Sequence, residues 1–207
     1  MTTSSRRLRR DNLLAGLCFL LGGSLFAIGA FLAQTGAELV AVNLTYLVGG
    51  VFFSSGGWLS IVITTAHTRG RSSAVVLFVG TLFFAVSLVA AFASGLTPRQ
   101  ADNWIWLPDI TGCVCFLVSG HLAMLDVGKG RVRLLPRSTD WWIVVINQVG
   151  SVLFFLAGLA AFIRPATSEA INVELVNWGT FSGAVCFAIA GLVQARFVVA
   201  DVGTTTA

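Results

Sequence analysis

Gly112-Cys113-Val114-Cys115-Phe116-Leu117-Val118-Ser119-Gly120 is an apolar run in which glycine, phenylalanine and glycine fall four residues apart. The same spacing recurs as Gly49-Phe53-Gly57 and Gly183-Phe187-Gly191. Four residues overshoot one helical turn by about 40°, so each trio stays on one slowly drifting helical face. Glycine there admits a neighbouring backbone, and the ring fills the space between contact points. Each stripe therefore predicts a helix packed closely against other helices.

The surrounding sequence says what those helices sit in. Of 207 residues, 56% are hydrophobic and only 11% charged, and the mean hydropathy is +0.87. An ordinary soluble domain is about 25% charged. Too little charge remains to wet a globule of this size, which excludes an aqueous enzyme and a disordered chain alike. Six apolar runs are long enough to cross about 30 Å of hydrocarbon, namely Leu13–Ala33, Leu44–Thr65, Ala74–Leu96, Ile110–Val127, Trp142–Ile163 and Trp178–Ala200. Unpaired backbone groups are not tolerated in lipid, so all six are predicted helices. Arg6–Arg10 ahead of the first run resembles the start of a signal peptide, but the run is long and no small-x-small cleavage site follows it. It is read as a retained helix.

The stripes lie in the second, fourth and sixth spans, and the odd-numbered spans repeat as well. Gly23-Ser24, Gly80-Thr81 and Gly150-Ser151 match one another, followed by Phe26, Phe83-Phe84 and Phe154-Phe155. An asparagine precedes each striped helix (Asn43, Asn103, Asn177), where it is expected to cap the first turn. The fold class that follows is an all-α transmembrane six-helix bundle made of three tandem helical hairpins. The hairpins occupy residues 13–66, 74–127 and 142–200, between a basic segment at 1–12 and a tail at 201–207.

The third copy, from Gly150-Ser151-Val152-Leu153-Phe154-Phe155 through Arg164-Pro165 to Gly183 and Gly191, resembles the YrhK-like domain. That bacterial membrane module is a helical hairpin with the same glycine and phenylalanine patterning. The resemblance implies membrane location and hairpin architecture, repeated three times over roughly residues 13–200, and implies no activity.

The net charge of +4 is not a nucleic-acid footprint. Basic residues cluster at Arg6–Arg10, Arg69–Arg71 and Lys129–Arg137, between apolar runs. With the amino terminus inside, eleven of the thirteen basic residues are cytoplasmic, and only Arg99 and Arg164 are outside. Both termini are therefore expected in the cytoplasm of a cell membrane, and the arginine-for-lysine bias suggests a bacterial one. The partners implied are the lipid bilayer and either a membrane-protein partner or a second copy of the chain.

No catalytic, cofactor or metal motif is present. Gly128-Lys129-Gly130 is too short to cradle phosphate, no HExxH or CxxC occurs, and Cys113 and Cys115 diverge on a helix. The expectation is no catalysis and no cofactor. Polar residues appear where the repeats disagree. His121 stands where the other copies have Trp58 and Leu192, Asn147-Gln148 where they have Leu20-Leu21 and Leu77-Phe78, and Gln194 lies at a similar depth. All lie roughly 9 Å inside the cytoplasmic face. Such groups must find partners in hydrocarbon, and they are often functional. Asp126 and Arg196 are expected to snorkel to the interface, and Asp109 to sit at the N-cap or in the first turn of its helix as a dipole-matched acid, the alternative being an external cation or partner contact with Asp102. Two functional readings follow. The leading one is a structural or interaction module. The alternative is a small-solute or ion/proton transporter or channel, with a polar cluster around His121 and a pathway along a pseudo-threefold axis.

Overall fold

The computed structural model describes residues 3–201 of the backbone and residues 6–196 of the side chains. Six helices are long and apolar enough to cross a membrane. They are α1 (Thr3–Gln34), α2 (Leu39–Ile63), α3 (Arg69–Ala90), α4 (Pro98–Val127), α5 (Thr139–Ala160) and α6 (Val173–Asp201). A two-stranded ribbon, Ile163–Arg164 against Glu169–Ala170, joins α5 to α6.

Local chemistry sets the ends. Thr68 Oγ1 accepts from the Arg71 amide at 3.1 Å, and Ser138 Oγ from the Trp141 amide at 3.3 Å. Thr97 and Gln100 cap α4 reciprocally. The Arg71 guanidinium donates to the Ile61 carbonyl at 2.8 Å, satisfying an orphan acceptor at the end of α2.

Several boundaries differ from the sequence reading. The basic segment at 1–12 is not separate, because α1 already runs from Thr3, and Arg7 and Arg10 pair with Asp11 one turn or less away. Helix α3 stops at Ala90, short of Leu96. Helix α4 starts at Pro98 rather than Ile110. Proline at 108 suggested a helix start, since within a helix it lacks a donor and clashes with the carbonyl four residues back. The clash is relieved by a widened π-helical turn, Asp102–Trp106, whose following amide at Leu107 bonds back to the Asp102 carbonyl. Of the tail proposed at 201–207, Asp201 still belongs to α6, and 202–207 lie outside the described residues.

Each helix packs on the next in sequence, and α6 packs on α1, closing a ring of six. Within each hairpin two glycines meet. A Cβ on Gly22 would lie 3.0 Å from the Gly49 carbonyl oxygen, one on Gly112 3.0 Å from that of Gly80, and one on Gly150 2.9 Å from that of Gly183. The structural repeat is therefore Gly22, Gly80 and Gly150, and the pairing of Gly23 with Gly80 slips by one residue. Hairpin 1 carries two adjacent glycines, so sequence matching could take either; the contact chooses Gly22. Gly23 falls in register with Thr81 and Ser151, which are buried.

The drift of the stripe accounts for the ring. Its first glycine (Gly49, Gly112, Gly183) meets the helix of its own hairpin. Its last glycine (Gly57, Gly120, Gly191) meets the first helix of the next hairpin, at Phe78, Gln148 and Leu20 respectively. The phenylalanine between them points to the axis.

Candidate functional site

Phe53, Phe116 and Phe187 meet at the centre, with ring centroids 6.1 Å (Phe53–Phe116), 5.7 Å (Phe116–Phe187) and 5.3 Å (Phe53–Phe187) apart. A second layer comes from the odd-numbered helices, where Phe154 lies 6.0 Å from Phe26 and 6.2 Å from Phe84. Each ring of the second layer abuts one of the first, Phe26 on Phe53 at 5.7 Å, Phe84 on Phe116 at 5.1 Å and Phe154 on Phe187 at 5.2 Å. All six are buried. A void of only about 10 Å³ remains among them, which is room for one water at most. The repeated phenylalanines thus form a dry plug, two side chains thick, across the middle of the ring.

A chamber lies on either side of the plug. The terminal chamber, at the end bearing both chain termini, has a volume of about 340 Å³ and rests on Phe53, Phe116 and Phe187. Its wall carries Asn12, Ser60, Ser73, Ser119, Asn147 and Gln194, and Asp126 and Asp140 lie toward its mouth. Gln194 Nε2 donates to Asn12 Oδ1 at 3.0 Å, and Ser73 and Ser119 bond to each other across α3 and α4. The Asn12 amide nitrogen is buried without a partner among the described residues.

The distal chamber has a volume of about 260 Å³ and rests on Phe26, Phe84 and Phe154. One turn outward from Gly49, Gly112 and Gly183, three equivalent positions carry oxygen-bearing side chains, Tyr46, Asp109 and Thr180, and all three line this chamber. Another turn outward, equivalent positions tie each hairpin to the next. Asn43 Nδ2 donates to the Ala91 carbonyl at 2.8 Å, Trp106 Nε1 to the Gly158 carbonyl at 2.8 Å, and Asn177 Nδ2 to Gln34 Oε1 at 3.0 Å. The asparagines are therefore not caps, since α2 and α6 begin four residues before Asn43 and Asn177. In the second hairpin Trp106, not Asn103, holds the equivalent place. No Lys, Arg or His lines either chamber among the described residues.

The polar residues singled out in the sequence do not form one cluster. Asn147 and Gln194 line the terminal chamber. His121 is exposed on the outside of the ring, as are Trp58 and Leu192 at the equivalent positions. One residue past Gly120 is about 100° of rotation, which carries His121 off the packing face. Gln148 is separated from Asn147 in the same way. It wedges into the α4–α5 seam over Gly120, with Nε2 3.5 Å from the Leu117 carbonyl and Oε1 buried without a partner. Asp126 lines a chamber mouth. Asp109 falls in the first turn of the α-helical stretch Leu107–Val127, as expected. That stretch continues through the widened turn back to Pro98, so Asp109 lies about 16 Å along α4 at 1.5 Å per residue and not at its free end. It stands three residues before a stripe glycine, like Tyr46 and Thr180, and extending the stripe by one turn places it on the chamber wall. The four cysteines are free, and no group of His, Cys, Asp and Glu among the described residues could hold a metal ion.

Compared with known proteins, the chain matches no family model, no curated protein and no solved structure.

Proposed function

We propose that this polytopic membrane protein moves a small cation across the membrane along its pseudo-threefold axis, with the six phenylalanines as the closed gate. The observation that carries the reading is the pair of chambers on either side of the plug, one lined out to Gly70, Val127 and Asp140 and the other to Ala91, Ala101 and Ala161, at opposite ends of the helices. Their linings supply the sign, because carboxylates enter both chambers and, among the described residues, no basic side chain does. Low-dielectric walls lined by one sign of charge concentrate the opposite ion. The reaction is translocation, with no covalent chemistry. The YrhK-like resemblance belongs with this proposal; the hairpin repeated three times around one axis supports it. So does an orientation with the termini in the cytoplasm of a bacterial cell membrane, given eleven basic residues at that end against two at the other.

The test is flux of radiolabelled rubidium and tetraethylammonium in proteoliposomes. Protein-dependent uptake of either is expected, and a Phe116→Ala, Phe187→Ala double variant should raise it at least tenfold by hollowing the plug. No protein-dependent flux in parent or variant would sink the proposal. In that event the chambers are packing defects, and the structural or interaction module becomes the better account.

A further inference from the structure

We propose that the distal chamber is a binding site for a small organic cation of the alkylammonium class, with Asp109 as its counter-ion and an aromatic enclosure as its wall. This deepens the transport reading by naming the substrate class, and rests on it for its place in a transport cycle.

Asp109 belongs to a membrane-spanning helix, faces the distal chamber, and has no hydrogen-bond donor or cationic partner among the described residues. It differs in this from Asp102, whose Oδ1 accepts from the Ile163 amide at 3.0 Å, and from Asp11, which is paired with arginine. An acid placed in hydrocarbon surroundings needs a counter-charge or a proton, and intramembrane acids without protein partners mark ion or substrate paths. The neutral polar side chains beside it are Asn43, whose amide nitrogen is committed to the Ala91 carbonyl, Ser87 and Thr180, and the larger groups are apolar or aromatic. Phe26, Phe84 and Phe154 form the floor, and Tyr46 and Trp106 the wall.

Those rings are held in place by their own contacts. The Trp106 indole is fixed by its bond to Gly158 and by Phe162, 5.0 Å away between centroids. Tyr46 packs on Phe26 at 5.4 Å and against the bare backbone of Gly29. Rings positioned without a ligand receive a guest at no further ordering cost, and an aromatic enclosure suits an alkylated ammonium.

The alternatives fit less well. A divalent metal ion needs six or more oxygen ligands, usually with several carboxylates, or a set of nitrogen and sulfur donors; one carboxylate among the neutral oxygens of Tyr46, Thr180, Ser87 and Asn43 falls short. An anion meets a carboxylate and no base. A neutral apolar molecule leaves the carboxylate unpaired. The volume, about 260 Å³, lies just below the range of roughly 300–1,000 Å³ usual for ligand pockets, which limits the guest to a compact cation.

Saturable binding of radiolabelled tetraethylammonium to the full chain in lipid nanodiscs tests the site directly. The parent protein should bind, and Asp109→Asn, which keeps shape and removes charge, should weaken binding at least tenfold. Asp140→Asn in the other chamber should leave it within twofold. Tyr46→Leu should weaken it three- to tenfold and provides a second reading that leaves the carboxylate intact. The uncharged isostere 3,3-diethylpentane should fail to compete. Absence of saturable binding to the parent, an Asp109→Asn affinity within twofold of it, or displacement by the isostere would each overturn the site. Binding that depends on Asp109 without protein-dependent flux would retain the site and refute transport. Flux indifferent to Asp109 would do the reverse.

Discussion

The three seams between hairpins occupy equivalent places in the ring, yet one is built of backbone against backbone and two are not. At the α6–α1 seam a Cβ on Gly191 would lie 2.6 Å from the Leu20 amide nitrogen, one on Gly23 2.7 Å from that of Ala188, and one on Gly16 2.8 Å from that of Ala195. At the α2–α3 seam the corresponding contact, from Gly57 to the Phe78 Cα, is an ordinary 3.4 Å, and a groove of about 570 Å³ lies open on the outside. At the α4–α5 seam Gln148 is interposed above Gly120. A ring with one tight seam and two loose ones is symmetric in outline and unequal in stiffness. Dispersion falls off within an ångström of separation, so hairpins 3 and 1 should move as one body while hairpin 2 shifts against them. Opening of the plug then has a natural direction, the displacement of Phe84 and Phe116.

The comparison breaks most severely at the tight seam. Gly191→Leu forces two backbones apart and should cost about 3 kcal/mol or more, or prevent folding, whereas Gly57→Ala at the loose seam should cost less than about 0.5 kcal/mol. Unfolding in mixed detergent, followed by far-ultraviolet circular dichroism, measures both. Equal losses at the two positions would show the seams to be equivalent in solution.

A smaller effect, of about 2–4 kcal/mol, is expected from Phe187→Ala, which removes the ring that touches Phe53, Phe116 and Phe154 in the plug. Accessibility of a cysteine introduced at Thr81 to a charged thiol reagent reads the same variant independently and should increase as water enters. Smaller again, Asn43→Leu and Asn177→Leu should each lose about 0.6 kcal/mol, the usual worth of an interhelical hydrogen bond in a membrane. Because Asn177 reinforces a seam that glycine contacts already hold, its loss should leave flux unchanged, while Asn43→Leu should alter it. The smallest change is at Gln148. Its Oε1 is buried without a partner, so Gln148→Leu should be neutral or stabilising by about 1 kcal/mol, and His121→Leu, on the outer surface, should move the midpoint by less than about 0.5 kcal/mol.

These positions also show how far the sequence could be read. Six helices, their pairing into hairpins and the three stripes were legible because apolar run length and four-residue spacing are local properties of the chain. The start of α4 was not, because Pro108 reads as a helix boundary until the widened turn before it is seen. The site was harder still. His121, Asn147 and Gln148 break the repeat at one depth, but depth along a helix does not fix azimuth. A rotation of about 100° per residue sends one of two neighbours to the axis and the other into a seam. Asp109 was read as a capping acid for the converse reason. An acid near a proline resembles a cap, and only the extended helix turns it into a wall residue of a chamber.

The sequence by itself determined an all-α chain of six helices long and apolar enough to span a membrane, because hydrocarbon thickness and backbone hydrogen bonding leave an apolar run of that length no other stable form. Only the tertiary structure decided that the hairpins close into a ring, that the repeated phenylalanines meet on its axis as a plug, and that Asp109 faces the chamber beyond it. Those outcomes depend on which glycine of an adjacent pair meets its partner. A shift of one residue turns every side chain of a helix by more than a quarter of a circle, and that choice is made by contacts between helices far apart in the chain.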